Sequence, residues 1–353
     1  MKELIFHIGG PKTGSSALQV FLARNRQNLL KQDVDYLAIG EIALGAAGKV
    51  SSGNGAFLSR TMLPTEATAR IPNGERHVKE FFEAVQASEA DIGIVSSELF
   101  IGAGSLEFSA LIARLRDLGV TARCFYLIRS QVQYLASSYM QLVKRHGSTE
   151  QPTDYVAREY KRRKFLRHHT FYLTLCDLFG RPNVMCRTYE AAIEAESGLF
   201  HAMIEALSIG PDGLDFDIPD INTSISTRDL CIMLLLNRFH PRMKFSDMVI
   251  DNAVQFGSAA SGQLHNFLPH ALVEEINRYF EAENAGMAKD YFVRAELFPP
   301  RALHSEQEHV SIDSLSMSDL IAFFGGLLVR YDERLVALES RLNKLTASLT
   351  AKH

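Results

Sequence analysis

The stretch "GGPKTGSSALQ" at residues 9–19 constrains the fold more than any other part of this sequence, because it directly follows the apolar run "LIFHI". A strand, a tight glycine turn and a helix would leave backbone N–H groups pointing at one spot, where the helix dipole favours an anion. Lysine, proline and three hydroxyl residues are packed into positions 11–16. We therefore predict a phosphate-binding loop between the first strand and the first helix.

The position of the lysine argues against an ATP-type loop. That loop has the pattern G-x-x-x-x-G-K-[ST], with its lysine directly after the second glycine. Gly9 and Gly14 have the right spacing, but Ser15 occupies the lysine position and the lysine lies earlier, at Lys12. No convincing acidic metal ligand follows, so we expect no metal. A charge at Lys12 could instead neutralise an oxygen that becomes negative as a bond breaks.

Strand-like runs alternate with helical patterns through the first two-thirds of the chain. The predicted strands are "ELIFHIG", "DIGIVSSE", "TARCFYLIRS" and "NVMCRTYE", and the predicted helices cover 15–30, 106–118, 131–145, 155–179 and a segment ending at 207. This alternation predicts an α/β fold with a parallel sheet flanked by helices. Residues 40–75 and 240–270 lack periodicity and are predicted to be long variable loops that could cover a ligand crevice. We place one domain at 1–316 and a C-terminal helix at 317–353.

Composition narrows the classes of function. Hydrophobic residues make up 46% of the 353 residues and the formal net charge is −4, which gives no reason to expect nucleic acid or a membrane surface as partner. The first residues already resemble a core strand and no apolar run is long enough to span a bilayer, so we expect a cytoplasmic protein. Four cysteines lack paired metal-ligand spacing and are expected to be reduced thiols.

"PKTGSS" resembles the 5′-phosphosulfate loop of sulfotransferases that use 3′-phosphoadenosine 5′-phosphosulfate (PAPS), whose pattern P-K-[ST]-G-[ST]-[ST] follows the first strand. The resemblance implies a P-loop-like sulfotransferase fold, with PAPS as cofactor and adenosine 3′,5′-bisphosphate (PAP) as product. It also implies that Lys12 contacts the phosphosulfate and assists departure of the phosphate. The implied cofactor-binding residues of this loop are Pro11, Lys12, Thr13, Gly14, Ser15 and Ser16.

A second motif is similar to the 3′-phosphate site of the same family, in which an arginine at a strand end precedes a serine by eight residues. Arg129 and Ser137 match that offset, and the planar fork of an arginine suits a terminal phosphate. The segment "RTYE" resembles the part of the family that lies near the adenine, which makes Tyr189 a candidate to contact the base. The late glycine-rich loop of the cytosolic animal enzymes is absent, whereas "NTSIS" resembles bacterial members.

Sulfuryl transfer requires a base to take the acceptor's proton. Glu98, at the end of the strand "IGIVS", is the first candidate, and a glutamate that merely flanks its loop is the alternative. His7 is interpreted as a core histidine, while His240 and His265 could reach the site from a variable loop. The resemblance implies transfer of a sulfuryl group to an acceptor hydroxyl on a carbohydrate, lipid or small metabolite. The rival functions are an ATP- or GTP-dependent kinase and a non-catalytic nucleotide-binding or assembly protein.

The C-terminal tail carries an apolar repeat with alternating spacings of three and four, a pattern typical of a coiled-coil seam. Its members are Leu328, Tyr331, Leu335, Leu338, Leu342, Leu345 and Leu349. The charged residues of the tail lie outside this seam. The tail therefore predicts an amphipathic helix that pairs between subunits of a homo-oligomer, and a helix packed on its own domain is the alternative.

Overall fold

The computed structural model describes residues 1–196, 198–218, 225–239, 245–256, 266–298 and 310–350, with side chains described as far as 346. In this part of the chain five strands form a parallel sheet in the order β2-β3-β1-β4-β5. They are β1 (Glu3–Gly9), β2 (Val34–Tyr36), β3 (Ile92–Ser96), β4 (Thr121–Ile128) and β5 (Val184–Thr188). The predicted parallel sheet is confirmed, and β2, only three residues long, was missed.

The strands are nearly continuous apolar runs because both faces of the sheet are buried. On β1, Leu4, Phe6 and Ile8 enter one hydrophobic cluster, whereas Ile5 enters a second cluster. On β4 the same alternation puts Tyr126 in the first cluster and Phe125 and Leu127 in the second. Successive side chains of a strand point to opposite faces, so each cluster covers one face of the sheet.

Helices flank the sheet, and a long helix forms the C-terminal tail. In chain order the α-helices are α1 (Ser15–Arg24), α2 (Arg26–Leu30), α3 (Ile42–Ala46), α4 (Ala56–Thr61), α5 (Glu75–Ala87), α6 (Ser105–Asp117), α7 (Gln131–His146), α8 (Pro152–Arg162), α9 (His168–Phe179), α10 (Tyr189–Glu194), α11 (Gly198–Ala206), α12 (Thr227–Phe239), α13 (Phe245–Phe256), α14 (His270–Met287) and α15 (Met317–Thr350). The predicted C-terminal helix is therefore observed.

Three helices predicted as continuous are interrupted. At two of the breaks a side-chain amide donates hydrogen bonds to backbone carbonyl groups. At Asn25, between α1 and α2, the side-chain amide donates to the carbonyl of Phe21 at 3.0 Å and to that of Asp215 at 2.8 Å. Between α8 and α9, the Gln131 amide donates to the Leu166 carbonyl at 3.1 Å. The third break precedes Gly198, whose positive φ of 81° does not continue a helix.

The prediction of a long surface loop at 40–75 is wrong in its middle. Residues 53–55 dock on the end of β3, where the Gly55 N–H donates to the Ser96 carbonyl at 3.0 Å. The buried Asn54 amide donates to the carbonyls of Leu37 and Ile94 at 2.9 and 3.1 Å, and a Cβ on Gly53 would lie 2.1 Å from the Ser96 oxygen. The predicted loop at 240–270 contains helix α13; its residues 240–244 and 257–265 lie outside the described part of the chain.

The chain folds as two compact units, each assembled from three segments. The first unit comprises Met1–Tyr134, Glu159–Asn222 and Glu274–Arg301 and contains the sheet. The second comprises Leu135–Arg158, Thr223–Val273 and Ala302–His353. Inside the second unit, the buried Asn237 amide of α12 donates to the carbonyls of Val143 and Ser148 at 3.1 and 3.2 Å.

Candidate active site

The predicted site residues of the first unit lie at the carboxyl ends of four neighbouring strands. The register aligns Gly9 of β1 with Leu127 of β4 and His7 with Ser96 of β3. Four predicted features therefore emerge at the same edge of the sheet. They are the loop after Gly9, Glu98 two residues beyond β3, Arg129 directly after β4 and Tyr189 directly after β5. Ligands of open parallel sheets bind outside this edge.

The loop between β1 and α1 is held in a conformation that most side chains avoid. Gly14 has φ 78° and precedes the first turn of α1, and Lys12, which is not a glycine, has φ 69°. The Gly10 N–H donates to the Leu127 carbonyl at 3.3 Å, and the buried Thr13 hydroxyl donates to the Gly10 carbonyl at 2.5 Å. Thr13 therefore shapes the loop with its side chain.

Two serines follow the loop in different environments. Ser15 is 3% exposed and its hydroxyl lies 3.3 Å from that of Thr13. Ser16, in the same first turn of α1, is half-buried. Ser15 thus occupies the position that holds the lysine in an ATP-type loop. Its buried hydroxyl packs against Gly9, where an added Cβ would lie 2.1 Å from the Ser15 oxygen.

Arg129 joins three of the predicted elements. Its guanidinium donates to the carbonyl of Lys12 and lies over the ring of Tyr189, 4.8 Å from the ring centre. Tyr189 in turn borders the loop, because a Cβ on Gly14 would be 3.3 Å from the Tyr189 ring. The lysine loop, the strand-end arginine and the tyrosine thus meet. Ser137 lies on α7 in the second unit, half-buried, and its role at the 3′-phosphate stays a prediction.

Glu98 begins a short 3₁₀ helix, Glu98–Gly102, directly after the extended Ser97. Burial raises the pKa of the Glu98 carboxyl above its ordinary value, and the nearby positive charge of Lys12 works in the opposite direction. A carboxylate whose pKa is raised is a stronger base than an ordinary one, which suits a group that accepts a proton.

Two buried histidines, His7 and His168, lie beneath this edge of the sheet. Nothing in the sequence indicated that His168 would be among them. His7 is confined to the core, where its Nδ1 shares a hydrogen bond with the Ser96 hydroxyl at 2.7 Å; Gln19 donates to the same hydroxyl at 3.1 Å. His168, on α9, donates from Nε2 to the Arg129 carbonyl at 3.0 Å, and its Nδ1 lies 3.3 Å from the Tyr126 hydroxyl. Burial lowers the pKa of both histidines to about 4.

The remaining candidate bases, His240 and His265, lie outside the described residues. In the described ranges no three His, Cys, Asp or Glu side chains are grouped so that they could hold a metal ion. The four cysteines are free thiols. Of the helices that the structure describes, none combines the length and apolar character needed to cross a bilayer.

Comparison with known proteins gave matches at the level of structure only. No protein-family model and no curated protein matches the chain. Similar solved structures include a sulfotransferase from Alicyclobacillus acidocaldarius, with 16% identity, TM-score 0.47 and coverage of 81% of this chain and 94% of the other. The sulfotransferase domain of the curacin biosynthetic pathway has 12% identity, TM-score 0.36 and coverage of 80% and 98%.

A third solved structure is retinol dehydratase in complex with androsterone and the inactive cofactor PAP. It has 12% identity, TM-score 0.37 and coverage of 83% of this chain and 82% of the other. The neighbours named as sulfotransferases carry the name of the family that the loop and strand-end motifs resemble. Likeness at these scores carries no argument about the chemistry, which depends on the chain's own residues.

Proposed function

We propose that this protein transfers a sulfuryl group from PAPS to an acceptor hydroxyl by direct in-line displacement. The observation that carries the proposal is the meeting of Lys12, Arg129 and Tyr189 at one sheet edge, with Glu98 close enough for its pKa to respond to Lys12. Two cationic groups, an aromatic ring and a partly desolvated carboxylate match what the reaction needs: two phosphates to bind, an adenine ring to contact and a proton to remove.

The loop fits the 5′ end of such a nucleotide. The N-terminus of α1, a helix of ten residues, has no side-chain cap, so its first N–H groups would be available to an anion. The half-buried Ser16 adds a hydroxyl donor. Arg129, whose guanidinium already stacks on Tyr189, would hold the 3′-phosphate, and Tyr189 would contact the adenine.

The chemistry divides between the cofactor and the chain. PAPS, when bound, supplies an activated sulfuryl group on a phosphate leaving group. Lys12 would neutralise the negative charge that develops on that phosphate, and Glu98 would accept the proton of the attacking hydroxyl. The remaining acceleration would come from holding the two reactants in line. Carbohydrates, lipids and small metabolites all offer the required hydroxyl.

Ligand-dependent stability tests the cofactor class. PAP without magnesium should raise the melting temperature, because a ligand that binds only the folded state stabilises it by mass action. Magnesium-ATP should raise it much less, since the buried Ser15 stands where an ATP-type loop has its lysine. Equal or greater stabilisation by magnesium-ATP would favour the kinase alternative. Binding of PAP without turnover, across a panel of acceptor classes given labelled PAPS, would favour the non-catalytic alternative.

Two substitutions separate binding from chemistry. Arg129→Ala should weaken PAP affinity, because it removes a charge-assisted contact made in the ground and transition states alike. Lys12→Ala should mainly lower turnover. Arg123→Ala is the matched control: Arg123 lies near the other end of β4 and pairs with Glu3 at 2.8 Å. Its loss should leave PAP affinity unchanged. Equal losses of affinity in the Arg123 and Arg129 variants would contradict the assignment.

A further inference from the structure

The last half of helix α15 exposes an apolar seam to solvent. All side chains from 331 to 346 are exposed, whereas Phe323 and Leu327 in the first half are buried. Most helical stability in proteins comes from the packing of an apolar face rather than from the helix by itself. The observed helix therefore calls for a partner along its outer half.

The seam has the register of a coiled coil. Positions a are Leu328, Leu335 and Leu342, and positions d are Tyr331, Leu338 and Leu345. These six side chains are between 51% and 70% exposed. A strict a/d stripe is narrower than the face with which a helix normally packs on its own domain.

The first half of α15 is fixed within the second unit. Arg330 forms an ion pair with Asp251 of α13, and Gln255 of α13 donates to Glu333 at 3.3 Å. Phe323 accepts a hydrogen bond through its carbonyl from Asn252, also on α13, at 3.4 Å. These contacts fix the root of the helix and reach as far as Glu333, so the seam from Leu335 onwards projects beyond them.

The charges beside the seam select both the partner and its direction. Arg334 and Arg341 occupy the g positions, and Asp332 and Glu339 occupy the e positions. In a parallel in-register pair, g of one helix faces e of the other, which puts Arg334 against Glu339 of the second copy. In an antiparallel pair, g would face g and e would face e, so like charges would meet.

We infer that the outer half of α15 binds a second copy of this chain as a parallel, in-register two-stranded coiled coil. Two-fold homodimers are the commonest closed assemblies, and the charge pattern is complementary to itself only in this orientation. The occupant is therefore another copy of the same helix, and packing of the seam on the chain's own first unit is the alternative that the tests must exclude.

Light scattering of the full-length protein at micromolar concentration tests the pairing. The expected mass is that of two chains, and Leu338→Glu should reduce it to one by placing charge in the seam. Val336→Glu is the matched control, because Val336 is equally exposed at 57% but lies at a b position that faces away from the seam. Cooperative urea unfolding of each variant checks that the rest of the chain still folds. A wild-type monomer, a mass of three or four chains, or a dimer unaffected by Leu338→Glu would overturn the inference.

A charge reversal tests the direction. Arg334→Glu should raise the dimer dissociation constant roughly ten-fold, because two symmetry-related attractive pairs become repulsive. Lys344→Glu makes the same charge change at a c position and should have little effect. Combining Arg334→Glu with Glu339→Arg should restore the affinity. In an antiparallel pair that sets Arg334 against Arg341 of the second copy, Arg334→Glu would tighten the dimer by turning a repulsion into an attraction, and that result would overturn the parallel arrangement.

Discussion

At the scale of single residues, burial and the charge of Lys12 act in opposite directions on the carboxyl group of Glu98. Burial raises the pKa of Glu98 and the charge of Lys12 holds it down. An anion bound beside Lys12 would offset that charge, so the pKa of Glu98 would rise further when the nucleotide is present. The carboxylate would then be a stronger base in the complex than in the free protein, which suits a group that must wait for both substrates.

Substitution of Glu98 tests its role as base. Glu98→Gln should lower turnover at saturating acceptor by about 10²- to 10⁴-fold, because the amide cannot accept the proton. PAP affinity should stay near that of wild type. Because a base must be deprotonated, wild-type turnover should rise with pH through the raised pKa of Glu98, and this acidic limb should disappear in the variant.

The matched control for Glu98 is Glu107→Gln, which changes an exposed glutamate on α6 and should leave the pH profile intact. Wild-type turnover in Glu98→Gln would remove Glu98 as the base. The two candidate histidines that lie outside the described residues, His240 and His265, would then be tested in the same way.

At the scale of elements, the sequence predicted those pieces whose signal is local. The lysine loop and Arg129 could be located because each directly follows an apolar strand. Residues 53–55 could not, because their docking depends on the distant Ser96 carbonyl. His168 could not be found either: its contact with Arg129 is made across 39 positions and exists only once α9 packs beside β4. The break at Asn25 has the same origin, since the Asn25 amide donates to the carbonyl of Asp215, 190 residues away.

The conformation of the loop between β1 and α1 gives a prediction about strain. Lys12 adopts φ 69°, a region that costs a residue with a side chain roughly 1–2 kcal/mol. Lys12→Gly removes the side chain together with the strain, whereas Lys12→Ala removes the side chain alone. The glycine variant gains flexibility when unfolded, which offsets part of the relief. We expect its free energy of unfolding to exceed that of the alanine variant by about 0.5–1 kcal/mol.

Urea unfolding of the two Lys12 variants measures this difference, and turnover should be low in both because both lack the ammonium group. Gly48→Ala, at a positive φ of 72° with open space around its Cβ position, calibrates the cost of alanine in this region. An alanine variant as stable as the glycine variant would show that the loop relaxes once the lysine side chain is gone. The strained conformation of residue 12 would then be caused by the contacts of the lysine side chain.

At the scale of the whole molecule, strand–helix alternation predicted a parallel sheet but could not give the strand order. Periodicity shows that β1, β3, β4 and β5 are buried on both faces, and it says nothing about which strands are neighbours. The order places β1 between β3 and β4, so the loop after β1 lies between Glu98 and Arg129. The division into two units could not be predicted from the sequence, because each unit is assembled from three separate segments of the chain.

Two buried neutral histidines make the fold sensitive to acid. His7 and His168 have pKa values of about 4 in the folded protein, because burial disfavours the charged imidazolium, against about 6.5 in an unfolded chain. Below pH 6.5 the unfolded state therefore binds protons that the folded state does not, and stability falls as the pH is lowered towards 4. Each histidine contributes a loss of about 3 kcal/mol over this range, a large part of the roughly 5–15 kcal/mol typical of native proteins.

Urea unfolding between pH 7 and pH 4.5 measures this loss, and substitution assigns it. His168→Gln keeps an N–H donor for the Arg129 carbonyl, and His7→Asn keeps a polar group near the Ser96 hydroxyl, so each variant should fold. Each should lose about half of the pH dependence because one titrating imidazole is gone, whereas the exposed His146→Gln should keep the wild-type slope.

Glu98 acts in the opposite direction, since a raised pKa favours the folded state in acid. Glu98→Gln should therefore steepen the fall of the unfolding free energy with decreasing pH. An unchanged slope in both buried-histidine variants would mean that acid lability arises elsewhere in the molecule.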